Sequence, residues 1–330
     1  MNELSQLIER LKGLPRVIIQ AHDFPDHDAV ASAYALAYLL NQQGIATQLV
    51  YHGVIDRVSI HRMIEILAIP IIHASEAGLR AEDILIVVDG CVGEKNVTDL
   101  TGEEVAVIDH HQVTPAPGLW YQDIRPDYGA TATIIYEYYQ QLGIIMPVAV
   151  ATALQVGLNI DTANMTRGVC EADVAAFAFF HRIADQDLVN NICRNCLESS
   201  ELPYYQHLLS ELRIERGVAI AQMPADCPKN LLGLLGDFLI AVDSVDVSIL
   251  ACGRPGTIQL SLRSERPEVD VAQLAQQVLV DNDIGFGGGH THMAGGIVNL
   301  TRLQHEGDAA EHVFSLLLQN IPDKSPLGID

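Results

Sequence analysis

The chain has 330 residues, 49% of them hydrophobic and 18% charged, which is enough apolar material for two buried cores and too much for a disordered chain. Nineteen Lys and Arg against 42 Asp and Glu leave a formal charge of −23, which repels polyanions and argues against a protein that coats long nucleic acid or an anionic membrane. A phosphate-bearing partner is therefore expected to be short or bridged by metal.

Residues 1–16 spread their charges through an amphipathic pattern and lack the basic start and unbroken apolar centre of a secretory signal. The longest nearly apolar runs, 29–40 and 148–160, fall short of the roughly 20 residues a membrane span needs. The expectation is a soluble, cytoplasmic protein. Its six cysteines stand at irregular spacings, which predicts reduced thiols rather than a disulfide framework. Cys193 and Cys196 form the one pair at metal or redox spacing, but no second Cys or Cys/His pair accompanies them, so no zinc site is expected there.

From residue 16 to 161 short β-rich runs alternate with helical ones: strands at 15–21, 46–51, 83–89 and 104–109, helices at 29–43 and 57–67. The runs 84–88 and 105–108 are continuously apolar, as expected of parallel strands buried on both faces by helices. Three more helices follow at 129–142, 147–159 and 171–182, the middle one opened by Pro147 at a first-turn position. The expected architecture is α/β: a mostly parallel sheet flanked by helices over residues 1–189, then a helical connector at 190–214. Residues 215–330 read as a smaller α+β domain, with strands at 217–223, 245–252, 257–263 and 294–302 and helices at 230–241, 269–280 and 308–320. The tail from 322 to 330 is expected to be mobile.

Chemistry gathers where strands end. His22, Asp26 and Asp28 sit between the first strand and its helix, at the carboxyl edge where open α/β sheets bind ligands. A plainer reading makes Asp28 only the cap of the helix. Asp89 ends a second buried strand, however, and Asp109, His110 and His111 end a third, while Asp161 closes the helix at 147–159. One Asp after a strand is a turn residue; repetition at consecutive strand ends points to a site. Six of the 13 histidines (His22, His27, His110, His111, His290, His292) fall in three short stretches, which favours the same conclusion.

Imidazoles with several carboxylates and no thiolate suit hard divalent cations such as Mn2+ or Mg2+, with Co2+ able to substitute. The carboxylates are too many for one ion. Two ions sharing a bridging carboxylate clamp the attacking and leaving oxygens of a phosphoryl displacement and acidify water, so a hydrolase is expected.

In the second domain Arg263 and Ser264 end a strand, and Gly285, Gly287, Gly288 and Gly289 precede His290 and His292. A glycine run alone is a flexible turn; beside an Arg fork and a His donor it reads as a cradle for phosphate oxygens. The Gly-Lys-Ser/Thr pattern of a P-loop is absent, as is a Gly-x-Ser-x-Gly nucleophile elbow. Aromatic residues show no interleaving with basic ones, which leaves an extended single-strand stacking platform without support; Tyr34, Tyr38, Tyr136, Tyr138 and Tyr139 read as packing residues.

Together these stretches resemble the DHH family of phosphoesterases. His22, Asp26, Asp28 and Ala29 look like its first motif, Asp89 the second, Asp109-His110-His111 the third, and Gly157 through Asp161 and Thr162 the fourth. Gly287, Gly288, Gly289 and His290 resemble the signature of the DHH-associated C-terminal domain. Departures are His27 where a small residue is common, Gly-Cys after Asp89, and Met293-Ala-Gly-Gly for the usual Ala-Ala-Gly ending.

The resemblance implies two domains with the active site in the cleft between them, and is closest to the nanoRNase and phosphoadenosine-phosphate phosphatase branch. It implies that His22, Asp26 and Asp89 hold one ion and that Asp28, Asp89, His110 and Asp161 hold the other. His111 would face substrate phosphate, with Asp109 orienting the neighbouring imidazole. Arg263, Ser264, Gly288, Gly289 and His290 would bind substrate. The implied substrates are dinucleotides, linear products of cyclic dinucleotides, or phosphoadenosine phosphate, and a homodimer is compatible with them. Three other readings stay open: a single-strand exonuclease of the RecJ type, a pyrophosphatase or polyphosphatase, and a non-enzymatic nucleotide sensor. The pyrophosphatase reading lacks the basic Ser-Arg-Lys-Lys-like segment in the second domain. The sensor reading would require lost ligands, whereas all the ligand positions are occupied.

Overall fold

The computed structural model describes residues 3–323 apart from positions 56, 95, 195, 196 and 306. Cys196 and most of the tail expected to be mobile lie outside the described residues. The chain divides into two compact units, Met1–Cys196 and Leu197–Asp330.

The first unit runs α1 (Glu3–Leu11), β1 (Val17–Ala21), α2 (His27–Gln42), β2 (Thr47–Tyr51), α3 (Val58–Ile66), β3 (Ile71–His73), β4 (Ile84–Val88), β5 (Glu103–Asp109), β6 (Tyr121–Ile124), α4 (Thr131–Leu142), α5 (Val148–Asp161), α6 (Glu171–Ile183) and α7 (Gln186–Arg194). The six strands form one sheet in the order β3-β2-β1-β4-β5-β6. Every pairing is parallel. β1 and β4 are buried at every position, which explains their unbroken apolar runs. Alternate residues of these strands face opposite ways: Val17, Ile19, Ile86 and Val88 join the large core with α2, α4 and α5, while Ile18 and Leu85 meet Val50 and Ala77.

Strands are added outward on one side from β1 to β3, and on the other from β4 to β6. The order therefore reverses between β1 and β4, and the crevice beyond their carboxyl ends is where an open parallel sheet binds its ligand.

The second unit carries α8 (Leu202–Glu211), β7 (Arg213–Glu215), β8 (Val218–Met223), α9 (Lys229–Ile240), β9 (Val247–Arg254), β10 (Thr257–Ser264), α10 (Val271–Ala275), β11 (Gly285–His290), β12 (Met293–Asn299), α11 (Leu300–Leu303) and α12 (Ala309–Gln319). Its sheet has the order β11-β12-β10-β9-β8-β7, antiparallel except for β8 with β9. One face packs on α10 and α12 through Leu260, Leu262, Leu274 and Phe314; the other packs on α9 through Leu250, Leu231 and Leu235.

The glycine run expected as a phosphate cradle, outside any expected strand, forms the edge strand β11. Pairing with β12 and tight packing override the poor strand propensity of glycine. A Cβ at Gly287 would stand 2.7 Å from Cβ of Ala275 on α10, and one at Gly285 would collide with the carbonyl of Ile297. The strand expected at 294–302 stops at Asn299, whose side chain accepts from Thr301 N at 3.0 Å and caps α11.

Candidate metal centre

Asp26, not Asp28, caps α2: its Oδ1 accepts from the amides of Asp28 (2.9 Å) and Ala29 (3.0 Å). The Asp28 carboxylate is thereby left to another task. Asp28 is fully buried and turns to the N-terminus of α4, where Thr131 N donates to Oδ2 at 2.7 Å and Ala132 N to Oδ1 at 3.0 Å. The positive end of a helix thereby holds a carboxylate where water does not reach.

Asp89 follows β4 with φ 60°, in the left-handed region that a non-glycine residue enters at a cost. Its amide donates to Ile108 O at 2.9 Å, and its Oδ1 accepts from Thr131 Oγ1 at 2.8 Å. Oδ2 is buried with no hydrogen-bond partner, an expensive state for a carboxylate oxygen unless a cation meets it. His22 Nε2 lies 3.8 Å from that oxygen and 3.9 Å from Asp26 Oδ2.

At the end of β5, His110 Nδ1 lies 3.1 Å from Tyr128 O, an acceptor only, so this nitrogen carries the proton. Nε2 is left to face Asp161 Oδ2 at 3.4 Å and Asp89 Oδ1 at 3.7 Å. The neighbouring His111 is held differently. Asp109 Oδ1 accepts from both its amide (3.0 Å) and its Nδ1 (2.8 Å). Burial opposes charge on His111, but the bond to Asp109 and the nearby Asp89 outweigh it and push the imidazole up to about 9.

Among the described residues three groups bring candidate ligand atoms within 4.8 Å of one another: His22, Asp26 and Asp89; Asp28, His110 and Asp161; and Asp89, His110 and His111. All six expected ligands thus meet, although they come from the ends of β1, β4, β5 and α5. Burial, and then repulsion from neighbouring carboxylates, pushes Asp28 and Asp161 well above the usual carboxylate range. Asp89 moves the same way. Such a set is strained without positive charge and suits divalent cations bound through oxygen and nitrogen.

Sequence reasoning missed the residues that brace this set. Thr131 holds Asp89, and Asp173, itself buried, accepts from Gly129 N (2.9 Å), Thr133 Oγ1 (2.5 Å) and Cys170 N (2.8 Å) to fix the turn that opens α4. The available signal was Gly129 followed by alternating Ala and Thr at a helix start. His27, the departure in the first motif, is buried against Ser59 Oγ at 3.0 Å; burial first, then Arg57, holds it down to about 4, so it packs as a neutral ring.

In the second unit the expected substrate-binding residues fall on one corner of the sheet. Arg263 pairs with Met293, which pairs with His290, and in the next rows Gly289 and Gly288 pair with Ala294 and Gly295. Arg263 is buried and already engaged: Nε donates to Asp237 Oδ1 at 2.7 Å, and Nη1 to Ser261 Oγ at 3.2 Å and Leu262 O at 3.0 Å. Ser264 is buried too, its Oγ accepting from Arg266 N at 3.1 Å. A Cβ at Gly288 would meet nothing within 4 Å. Among the described residues no helix is long and apolar enough to cross a membrane.

Residues 16–158 match the DHH family, N-terminal domain. An uncharacterized protein of Methanocaldococcus jannaschii is 26% identical over 274 residues, 83% of this chain and 55% of its own length. A probable manganese-dependent inorganic pyrophosphatase of Streptococcus mutans is 27% identical over 187 residues, 53% of this chain and 57% of its own. The chain thus spans about half the length of the curated relatives it matches. An exopolyphosphatase-related protein from Bacteroides fragilis superposes with a TM-score of 0.72 at 16% identity, covering 96% of this chain and 95% of the other, a likeness of fold.

Proposed function

We propose that this chain, which belongs to the DHH family through its residues 16–158, is a metal-dependent phosphoesterase that hydrolyses short oligonucleotides or small nucleotide phosphates. The observation that carries the reading is the pair of ligand groups, His22/Asp26/Asp89 and Asp28/His110/Asp161, with Asp89 Oδ1 also facing His110. Asp89 would serve both ions and Asp28, His110 and Asp161 the second, with Mn2+ favoured and Mg2+ or Co2+ able to substitute. Bound there, two divalent ions supply Lewis acidity to a phosphoryl oxygen and make water a nucleophile near neutral pH.

The chain's own groups do the rest. His110 is locked with Nε2 inward by the Tyr128 carbonyl, and Asp28 is held by the amides of α4. His111, steadied by Asp109 at Nδ1, would turn its other nitrogen to a phosphate oxygen and, when protonated, donate to it and oppose the charge that grows in the transition state. The corner formed by Arg263, Ser264, Gly288, Gly289 and His290 is assigned to a further substrate phosphate; because Asp237 already holds Arg263, that phosphate would exchange one anionic partner for another.

Dinucleotides, linear products of cyclic dinucleotides and phosphoadenosine phosphate are the substrates to test with Mn2+, beside inorganic pyrophosphate, which the Streptococcus mutans relative brings in as the second reading. Release of mononucleotide or of the 3′-phosphate supports the proposal; release only from pyrophosphate overturns it in favour of the second. His110→Ala should lose metal, whereas His111→Ala should keep metal and lose turnover. Equal metal depletion in the two variants would show the pair to be misassigned.

A further inference from the structure

The crevice at the carboxyl edge has a second half, and the metal-binding groups leave it unused. β2 is followed at once by His52, and His73 is the last residue of β3, so two imidazoles end the strands on the far side of β1. Their rings lie 5.5 Å apart, tilted by 33°, and Tyr51 meets His73 edge-on at 5.4 Å.

Their tautomers differ. Thr98 Oγ1 donates its proton to Asp23 Oδ2 at 2.7 Å, so toward His52 Nδ1, 3.2 Å away, it accepts. A neutral His52 therefore carries its proton on Nδ1 and offers Nε2 as an acceptor. In His73 the relation is inverted: Nδ1 accepts the amide proton of Ser75 at 3.2 Å, which leaves Nε2–H as a donor. One ring end accepts and the other donates.

The same edge carries an exposed aromatic face. Phe24, 56% exposed, stands two residues from His22 on one side and two from Asp26 on the other. It lies over Gly53, the neighbour of His52: a Cβ there would be 3.3 Å from Phe24 Cε1 and would collide with the carbonyl of Asp23. Asp23 ties the arrangement to the metal-binding loop, since its carboxylate also accepts Thr98 N at 2.9 Å.

We propose that Phe24, His52 and His73 form a nucleobase shelf beside the metal centre, Phe24 stacking on the ring and the two imidazoles meeting its donor and acceptor edge. A base offers a π face and, along its Watson–Crick edge, adjacent donors and acceptors, which inorganic pyrophosphate and polyphosphate lack. The inference rests on the phosphoesterase reading and narrows it: the substrate is a nucleotide recognised in part through its base.

The test uses the full chain with Mn2+ and two substrates with the same phosphates, a dinucleotide and its abasic analogue. Phe24→Ala should raise the KM for the dinucleotide about tenfold more than for the abasic analogue, as expected for loss of one stacked base, and Phe24→Tyr should restore it. His52→Ala with His73→Ala should flatten whatever preference among bases the wild type has. Equal effects on both substrates, or none on either, would overturn the shelf. Calorimetry with adenosine monophosphate and ribose 5-phosphate separates the two ideas. If the wild type cleaves no phosphodiester, the functional reading falls, while a preference for the adenosine compound that Phe24→Ala abolishes still supports the shelf; equal binding of both compounds sinks it.

Discussion

A carboxylate with φ 60° at the end of a buried strand costs on the order of 1 kcal/mol in backbone strain, which Asn and Asp bear better than other side chains. Asp89 also leaves one buried oxygen without a hydrogen-bond partner, so the position serves the site at the expense of the fold. Asp89→Asn keeps the tolerance for that φ and an oxygen for Thr131 Oγ1 while removing the charge, which makes it cleaner than alanine. Metal content should fall, and turnover should drop by at least about 100-fold. Wild-type turnover at saturating Mn2+ would refute a shared ligand.

Asp83 illustrates the opposite case, a carboxylate that serves the fold. Arg16 grips it with Nε at 2.9 Å and Nη2 at 2.5 Å, and the first of these effects, the hydrogen bonding, holds Asp83 below its ordinary value against the pull of burial. A carboxylate depressed in the folded state contributes stability above its unfolded value of about 3.9, and that stability is lost as pH falls through the folded value. Asp83→Asn should cost about 1–3 kcal/mol at pH 7. Melting curves from pH 7 down to pH 3 should show the gap to wild type narrowing; a constant gap would mean that the pair does not carry the acid sensitivity.

Among the elements, the contact of α2 with α5 decides whether the second ligand group exists. Gly157 lets the first turn of α2 approach so closely that a Cβ would stand 2.8 Å from Asp28 Oδ1 and 2.9 Å from Asp28 Cα. Asp161 lies four residues further along α5, on the same face as Gly157, and so reaches Asp28 and His110. Gly157→Ala should gain roughly 1 kcal/mol of helix propensity and still lower both the melting temperature and the affinity for Mn2+, because the helices must part. A more stable variant with intact metal binding would show the approach to be dispensable.

Most of this geometry was legible in the sequence because parallel strands bring their carboxyl ends to one edge: His and Asp residues repeated at the ends of the strands expected at 15–21, 83–89 and 104–109 are carried to that edge together, and the order β1-β4-β5 then sets them side by side. The same reasoning could not reach β3 and β6, three and four residues long with little apolar periodicity, nor β11, whose glycines become a strand only by pairing. Nor could it reach the groups that hold Asp28, because Thr131 and Ala132 lie more than a hundred residues away and local spacing carries no trace of them.

For the whole molecule, charge is the property no single element shows. The 42 acidic side chains outnumber 19 basic ones, and several of the basic ones are already committed: Arg16 to Asp83, Arg125 to Asp123 and Glu137, Arg263 to Asp237, Arg266 to Asp246. Positive charge at the proposed centre would come from ions held by buried carboxylates, a local source on a surface that otherwise repels phosphate. A substrate of two to five nucleotides places most of its charge near that source. A strand of about 30 nucleotides must lay many phosphates along the acidic surface, and its penalty grows with their number. Salt screens this repulsion over a Debye length of about 10 Å at 0.1 M, shrinking to about 3 Å at 1 M. Raising ionic strength should therefore narrow the preference for short substrates, with kcat/KM on the long strand rising relative to that on a dinucleotide. Proteins that grip nucleic acid through Lys and Arg behave in the opposite way, losing affinity as salt increases. The measurement is the ratio of the two kcat/KM values between about 0.05 and 0.5 M salt at fixed Mn2+. A long strand cleaved faster than the dinucleotide at low salt, with that advantage shrinking as salt rises, would mean that the chain binds polyanions through a basic track, and would favour a processive exonuclease over a hydrolase of short fragments.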